Sequence, residues 1–101
     1  MILTTTNSID GYKIIDYLGI VTGVNAQQQK VTFTFSTSKY LDSLNESVNS
    51  VKEEAFQKLK ENANALQANA IVGIKTDFEV LPTTSVLMIS VTGTAVKVVS
   101  N

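Results

Sequence analysis

Apolar and polar residues recur along the chain with two different periods, and the change of period divides it into elements. From Tyr12 to Gly23, β-branched and aromatic residues follow the turn pair Asp10-Gly11, which predicts a strand. A shorter strand over Ile2 to Thr5 is expected to precede it, with Asn7 to Gly11 as the turn between them. Lys30 to Phe35 then alternates strictly, with Val31, Phe33 and Phe35 on one face, the period of another strand. After Ser36-Thr37-Ser38 the step lengthens to three and four. Leu41, Leu44, Val48, Val51, Ala55, Leu59, Ala63 and Leu66 form one apolar stripe down a helix.

The helix is set from Val51 to Leu66. Asn45, Ser47, Asn49 and Ser50 are poor helix formers, and both Ser43…Glu46 and Ser50…Glu53 have capping-box spacing, so its start falls anywhere from Ser38 to Ser50. A helix running the full distance of ~28 residues would be ~42 Å long. A 100-residue domain has a diameter of only ~26 Å. Such a helix is expected to lean on something outside its own domain.

Period two returns in the last third. In Ala70 to Leu81, alternation groups Ala70, Val72, Ile74, Thr76, Phe78 and Val80 on one face, opposite Ile71, Gly73, Lys75, Asp77, Glu79 and Leu81. Pro82-Thr83-Thr84 makes a short connection into Ser85 to Val99, giving an antiparallel hairpin. That final strand is apolar on both sides, with Leu87, Ile89, Val91, Ala95 and Val99 on one and Val86, Met88, Val96 and Val98 on the other. The fold class that follows is α+β: a small antiparallel sheet of three to four strands, with a short N-terminal strand, packed against one long helix.

One helix covers one sheet face, and a soluble monomer exposes at most a few hundred Å² of contiguous apolar surface. The doubly apolar strand therefore predicts burial against a second copy of the chain. The alternative is that the Thr32 to Phe35 strand, or the loop before it, covers Met88 and the valines.

Composition narrows the chemistry. The 101 residues make one domain, and they contain no histidine, cysteine, arginine or tryptophan; eight lysines stand against nine acidic residues for a formal charge of -1. Without histidine or cysteine there is no imidazole or thiol nucleophile system, no disulfide and no thiolate metal cluster. Without arginine or net positive charge, nucleic acid is not an expected partner. Met1 to Thr6 lacks the pattern of a signal peptide, and no apolar run reaches the ~18–20 residues that span a bilayer. A membrane is thus not expected as a partner, and a cytoplasmic location is. The helix charges, among them Lys52, Glu53, Glu54, Lys58, Lys60 and Glu61, read as a solvated face with i,i+4 pairs such as Glu54 with Lys58.

Three strings together resemble a known group. They are Thr4-Thr5-Thr6 with Ile9-Asp10-Gly11-Tyr12-Lys13-Ile14 and Tyr17 to Gly23; Ala63 to Gly73; and Leu87 to Val96. The chain is similar to the YbjQ-like family of small uncharacterised bacterial proteins, which often carries a heavy-metal-binding label. The match covers residues 2 to 24 and about 44 to 99. The resemblance implies a dodecin-like subunit assembled as a homo-oligomeric ring, a pentamer. The chain departs from the family between Asn25 and Asp42, and Val24 stands where many members have glutamate.

The metal label can be set against the donors present. Soft metals favour thiolate or imidazole; here only carboxylates, carbonyls, hydroxyls and the thioethers of Met1 and Met88 remain, so a hard cation is the metal class left. The candidate metal residues are Asp77 and Glu79, ~7 Å apart along one strand face, which in a ring would converge around an axis; the plain alternative is two solvated carboxylates beside Lys75. Asp16 falls by alternation among Tyr12, Ile14, Leu18 and Ile20, and a carboxylate there calls for a partner such as Lys97 or a subunit contact. Gly19, Gly23, Gly73 and Gly93 interrupt strand patterns and mark bulges, bends or close backbone approaches. No catalytic or cofactor-binding residue stands out. The expected function is a non-catalytic homo-oligomeric binding or scaffold protein, with a small ligand or cation between subunits; the alternative is a cation-binding protein using its surface carboxylates.

Overall fold

A computed structural model describes residues 1–28, 37–81 and 86–101, with positions 37–45 described as backbone. Its elements, in order, are β1 (Ile2–Leu3), β2 (Tyr12–Gln28), α1 (Thr37–Ala65), β3 (Ala70–Leu81) and β4 (Val86–Ser100). The strand expected over Lys30 to Phe35 and the connection at Pro82-Thr83-Thr84 lie outside the described residues.

The sheet order is β1-β3-β4-β2. The three long strands are antiparallel, as expected, but β1 pairs in parallel with Ala70 and Ile71, so the sheet is mixed. β2 runs five residues past Gly23. Asn25, Ala26, Gln27 and Gln28 have little strand propensity, yet they pair with Ile89, Met88, Leu87 and Val86, and this pairing overrides the local preference. The helix starts at Thr37, one residue before the expected window of Ser38 to Ser50, and its 29 residues give a length of ~43 Å. The molecule measures 56 × 22 × 16 Å with a radius of gyration of 16.8 Å, where ~13 Å is usual for this length.

The predicted stripe forms the main core from Val48 to Ala63, whereas Leu66, expected in it, lies just past the helix end and is 41% exposed, and the side chains of Leu41 and Leu44 lie outside the described residues. Val51, Ala55, Leu59 and Ala63 are fully buried against Val21, Ile71, Ile74, Leu87, Ile89, Val91 and Ala95, with Val48 and Phe56 packed at the margin. Burying Leu59 alone contributes about 1.5–3 kcal/mol. Small residues allow the helix to lie close to the sheet: an ideal Cβ on Gly23 would sit 2.1 Å from the carbonyl oxygen of Ala55 and 2.7 Å from the nitrogen of Leu59. On the same face of the sheet, a Cβ on Gly93 would meet Ile71 Cγ2 at 2.6 Å. These are the close approaches that the glycines signalled.

Simple alternation fails at three places, each a register shift. In β3 the ladder slips between Val72 and Lys75, beside Gly73 with φ +61°. Ala70 and Val72 therefore lie on the face opposite Ile74, Thr76, Phe78 and Val80, not with them. In β2 the ladder slips between Ile14 and Asp16 and again between Tyr17 and Gly19. Asp16 thus leaves the face of Ile14 and stands directly opposite Lys97, the partner expected for it.

The sheet face away from the helix is partly covered. Ala70, Val72, Val96 and Val98 make a second small core with Ile2, Ile9 and Ile14. The N-terminal segment therefore covers Val96 and Val98, while the alternative cover expected from Thr32 to Phe35 lies outside the described residues. Asn69 ties this region together. Its side-chain amide donates to Val98 O at 2.9 Å while its Oδ1 accepts from the Val98 N–H at 2.8 Å, extending the ladder with a side chain.

The helix ends in a Schellman arrangement. Ala68 N–H donates to Ala63 O (3.1 Å) and Gln67 N–H to Asn64 O (2.9 Å), with Gln67 at φ +63°. A left-handed glutamine is strained where glycine is not, so Gln67→Gly is expected to raise unfolding free energy by about 0.5–1 kcal/mol in a denaturant titration.

Candidate functional site

Three regions carry the chemistry and surface from which a function can be built. The first is the outer sheet face, turned away from the helix, where cross-strand rows run Thr22–Thr92–Lys75, Val24–Ser90–Asp77 and Ala26–Met88–Glu79. Asp77 and Glu79 do share this face, as alternation predicted, and both are exposed. Asp77 faces the hydroxyl of Ser90 across the ladder, and Glu79 faces Met88. Among the described residues no group of three or more histidine, cysteine, aspartate or glutamate side chains comes together. Among its described residues one chain therefore offers a pair of carboxylates and no enclosed set. With Met88 the nearest soft donor in that row, these residues do not fit a soft heavy metal.

The second region is apolar and exposed. On the outer face of β2, Tyr17 is 69%, Ile20 78% and Val24 43% exposed. At the opposite side of the sheet, Phe78 (50%) and Val80 (53%) point to the helix side of β3, but the helix packs on β2 and β4 and leaves them uncovered. A cleft of about 420 Å³ opens at that side, lined by Leu3, Thr4, Thr5, Phe56, Ile74 and Thr76. A second hollow of about 350 Å³ lies among Ile2, Thr4, Thr6, Ser8, Ile9 and Asp10. Its threonines bond one another, Thr4 Oγ1 to Thr6 Oγ1 at 2.7 Å, and Thr6 Oγ1 donates to Ser8 O at 2.6 Å.

The third region is a polar seam between α1 and β2. Asn25 is buried, and its Nδ2 donates to Glu54 Oε2 at 2.8 Å. Lys58 Nζ donates to Val24 O at 3.0 Å and reaches Asn25 Oδ1 at 3.5 Å; Asn62 Nδ2 donates to Thr22 O at 2.7 Å. Glu54 and Lys58, read from sequence as a solvated i,i+4 pair, are thus engaged with the neighbouring strand. Their spacing of four, continued to Asn62, was the one legible sign that they share a helix edge.

Comparison with known proteins completes the description. The family model YbjQ_1, described as "Putative heavy-metal-binding", matches residues 1–99. The chain belongs to this family. A relative of the YbjQ-like chain, the UPF0145 protein of Clostridium kluyveri, is 40% identical over 105 aligned residues, covering 97% of this chain and 99% of the relative. Its fold also resembles a crystal structure of a protein with unknown function of the DUF74 family from Pediococcus pentosaceus, at a TM-score of 0.74 and 25% identity, with 98% of each chain covered. The YbjQ-like label and the donor set disagree: the label names heavy metals, and this member has no thiolate or imidazole to hold them.

Proposed function

We propose that this chain is a non-catalytic subunit of a homo-oligomeric ring, a cytosolic binding or scaffold protein whose ligand sits between subunits. The observation that carries the reading is the pair of exposed apolar patches on different faces and at opposite sides of the sheet, Tyr17, Ile20 and Val24 on β2 and Phe78 with Val80 on β3. Two unlike patches favour a head-to-tail contact over a two-fold one, and a head-to-tail contact that closes makes a ring. Five subunits is the number that the family resemblance implies. The elongated shape supports the same reading, because 29 helical residues outreach the core that one subunit provides.

The cleft beside Phe56 and Ile74 is where a neighbour would complete a small-ligand site, and its volume falls in the range of ligand pockets. A cation held by Asp77 and Glu79 would need carboxylates from more than one copy, since one subunit supplies two. Among the described residues no helix is long and apolar enough to cross a membrane.

Light scattering at micromolar concentration tests the proposal. The expected mass is a multiple of 10.9 kDa, about fivefold. A monomer mass across that range overturns the reading.

A further inference from the structure

An edge strand presents a row of unpaired N–H and C=O groups to any extended segment that approaches, and proteins blunt such edges with charge, proline, bulges or cover. Among the described residues β2 is the terminal strand of the sheet, paired to β4 on one side and to no described strand on the other. From Tyr17 to Val24 it carries no charged residue and no proline, and four of its eight residues, Ile20, Val21, Thr22 and Val24, are β-branched. That composition is the one that invites strand addition. The far side of the sheet differs, because beyond Ile74 the β3 edge bears its own charges at Lys75, Asp77 and Glu79.

A ladder slip between Tyr17 and Gly19 interrupts the start of this stretch, and beyond it the cover comes from the helix. Alternate residues of an antiparallel strand turn their carbonyls away from the partner strand. Thr22 and Val24 are two apart, and both carbonyls accept from α1, from Asn62 at 2.7 Å and Lys58 at 3.0 Å. The geometry repeats because two strand residues advance ~6.8 Å while four helical residues advance ~6 Å, so donors at i and i+4 match alternate carbonyls. The close approach at Gly23, which lies between the two acceptors, brings the helix near enough for these side chains to reach around the strand. Both donors are exposed, so burial of the side chains does not account for their placement.

We infer that Lys58 and Asn62 guard the β2 edge, occupying the carbonyls that a strand of a second copy would need and so preventing open-ended strand pairing. The inference does not rest on the ring, since whatever mass the native chain has is the baseline.

The test is the double variant Lys58→Ala/Asn62→Ala, beside a control, Lys52→Ala/Asn64→Ala, that makes the same residue-type changes at exposed helix positions with no donor to β2. Sedimentation and thioflavin fluorescence are followed with concentration, and circular dichroism monitors the helix. The guard variant is expected to form sedimenting, thioflavin-positive polymers at least tenfold faster than native chain or control while its helical signal persists. Lys58→Arg/Asn62→Gln, which keeps both donors, is expected to stay at the native mass. A folded guard variant that keeps the native mass overturns the inference, as does polymer that grows only after the helix has melted. Should the double variant fail to fold, the single Lys58→Ala chain decides in the same way: polymer supports the guard and an unchanged mass removes it.

Discussion

Gly23→Ala is expected to be among the most destabilising single-methyl additions this protein can receive, by about 3 kcal/mol or more. The added carbon would lie 2.1 Å from Ala55 O, 2.7 Å from Leu59 N and 3.2 Å from Ala55 C, all main-chain atoms that no rotamer change can move. Relief requires the helix to lift by on the order of 1 Å to restore ordinary contact distances. Lifting it opens the fully buried contacts of Val51, Ala55, Leu59 and Ala63 at once. It also pulls Lys58 and Asn62 away from Val24 O and Thr22 O. For a domain of this size, that loss lowers the melting temperature by about 12 °C or more, readable by calorimetry. A variant as stable as the native chain would show that α1 does not rest on β2 at this separation.

Ile20→Lys is expected to act on assembly and leave the subunit intact. Ile20 is 78% exposed, and surface changes of this kind usually alter subunit stability by less than about 0.5 kcal/mol. At a subunit contact the same lysine would be buried without a partner, costing about 2 kcal/mol or more per interface, a weakening of roughly 30-fold. The expected result is a fall in mass toward 10.9 kDa at micromolar concentration with an unchanged circular dichroism spectrum. An unchanged mass would place Ile20 outside the contact and remove the β2 patch from the proposed ring.

Much of the fold was legible because it is written in short-range periodicity. Val51, Ala55, Leu59 and Ala63 step by four, and the structure buries all of them completely. Glycines inside apolar runs marked contacts too close for a side chain, at Gly23 and Gly93, and a slipped ladder at Gly73. Assigning faces by parity was less successful. A single extra residue inverts every face after it, which is why Ala70 and Val72 separate from Phe78, and why Asp16 meets Lys97 although its neighbours in the pattern do not.

The exposed surface was harder to read for a different reason. The doubly apolar β4 pointed to unmet burial, but half of its outer face is covered by Ile2, Ile9 and Ile14, residues more than eighty positions away from Val96 and Val98. The uncovered apolar surface lies instead on β2 and on the end of β3 that α1 does not reach. Likewise, Lys58 and Asn62 have the composition of a solvated helix face, and only the position of β2 beside them gives their donors main-chain acceptors.

By itself, then, the sequence determined the elements, the helix stripe, the α+β class, the family and the absence of soft metal ligands, because each depends on residue types or on spacings of two to four. The tertiary structure decided which faces are covered, which sheet edge is guarded and which apolar residues remain for a partner. Those outcomes depend on register and on contacts between residues distant in the chain, where one bulge or one covering segment redirects a side chain that local pattern had already assigned.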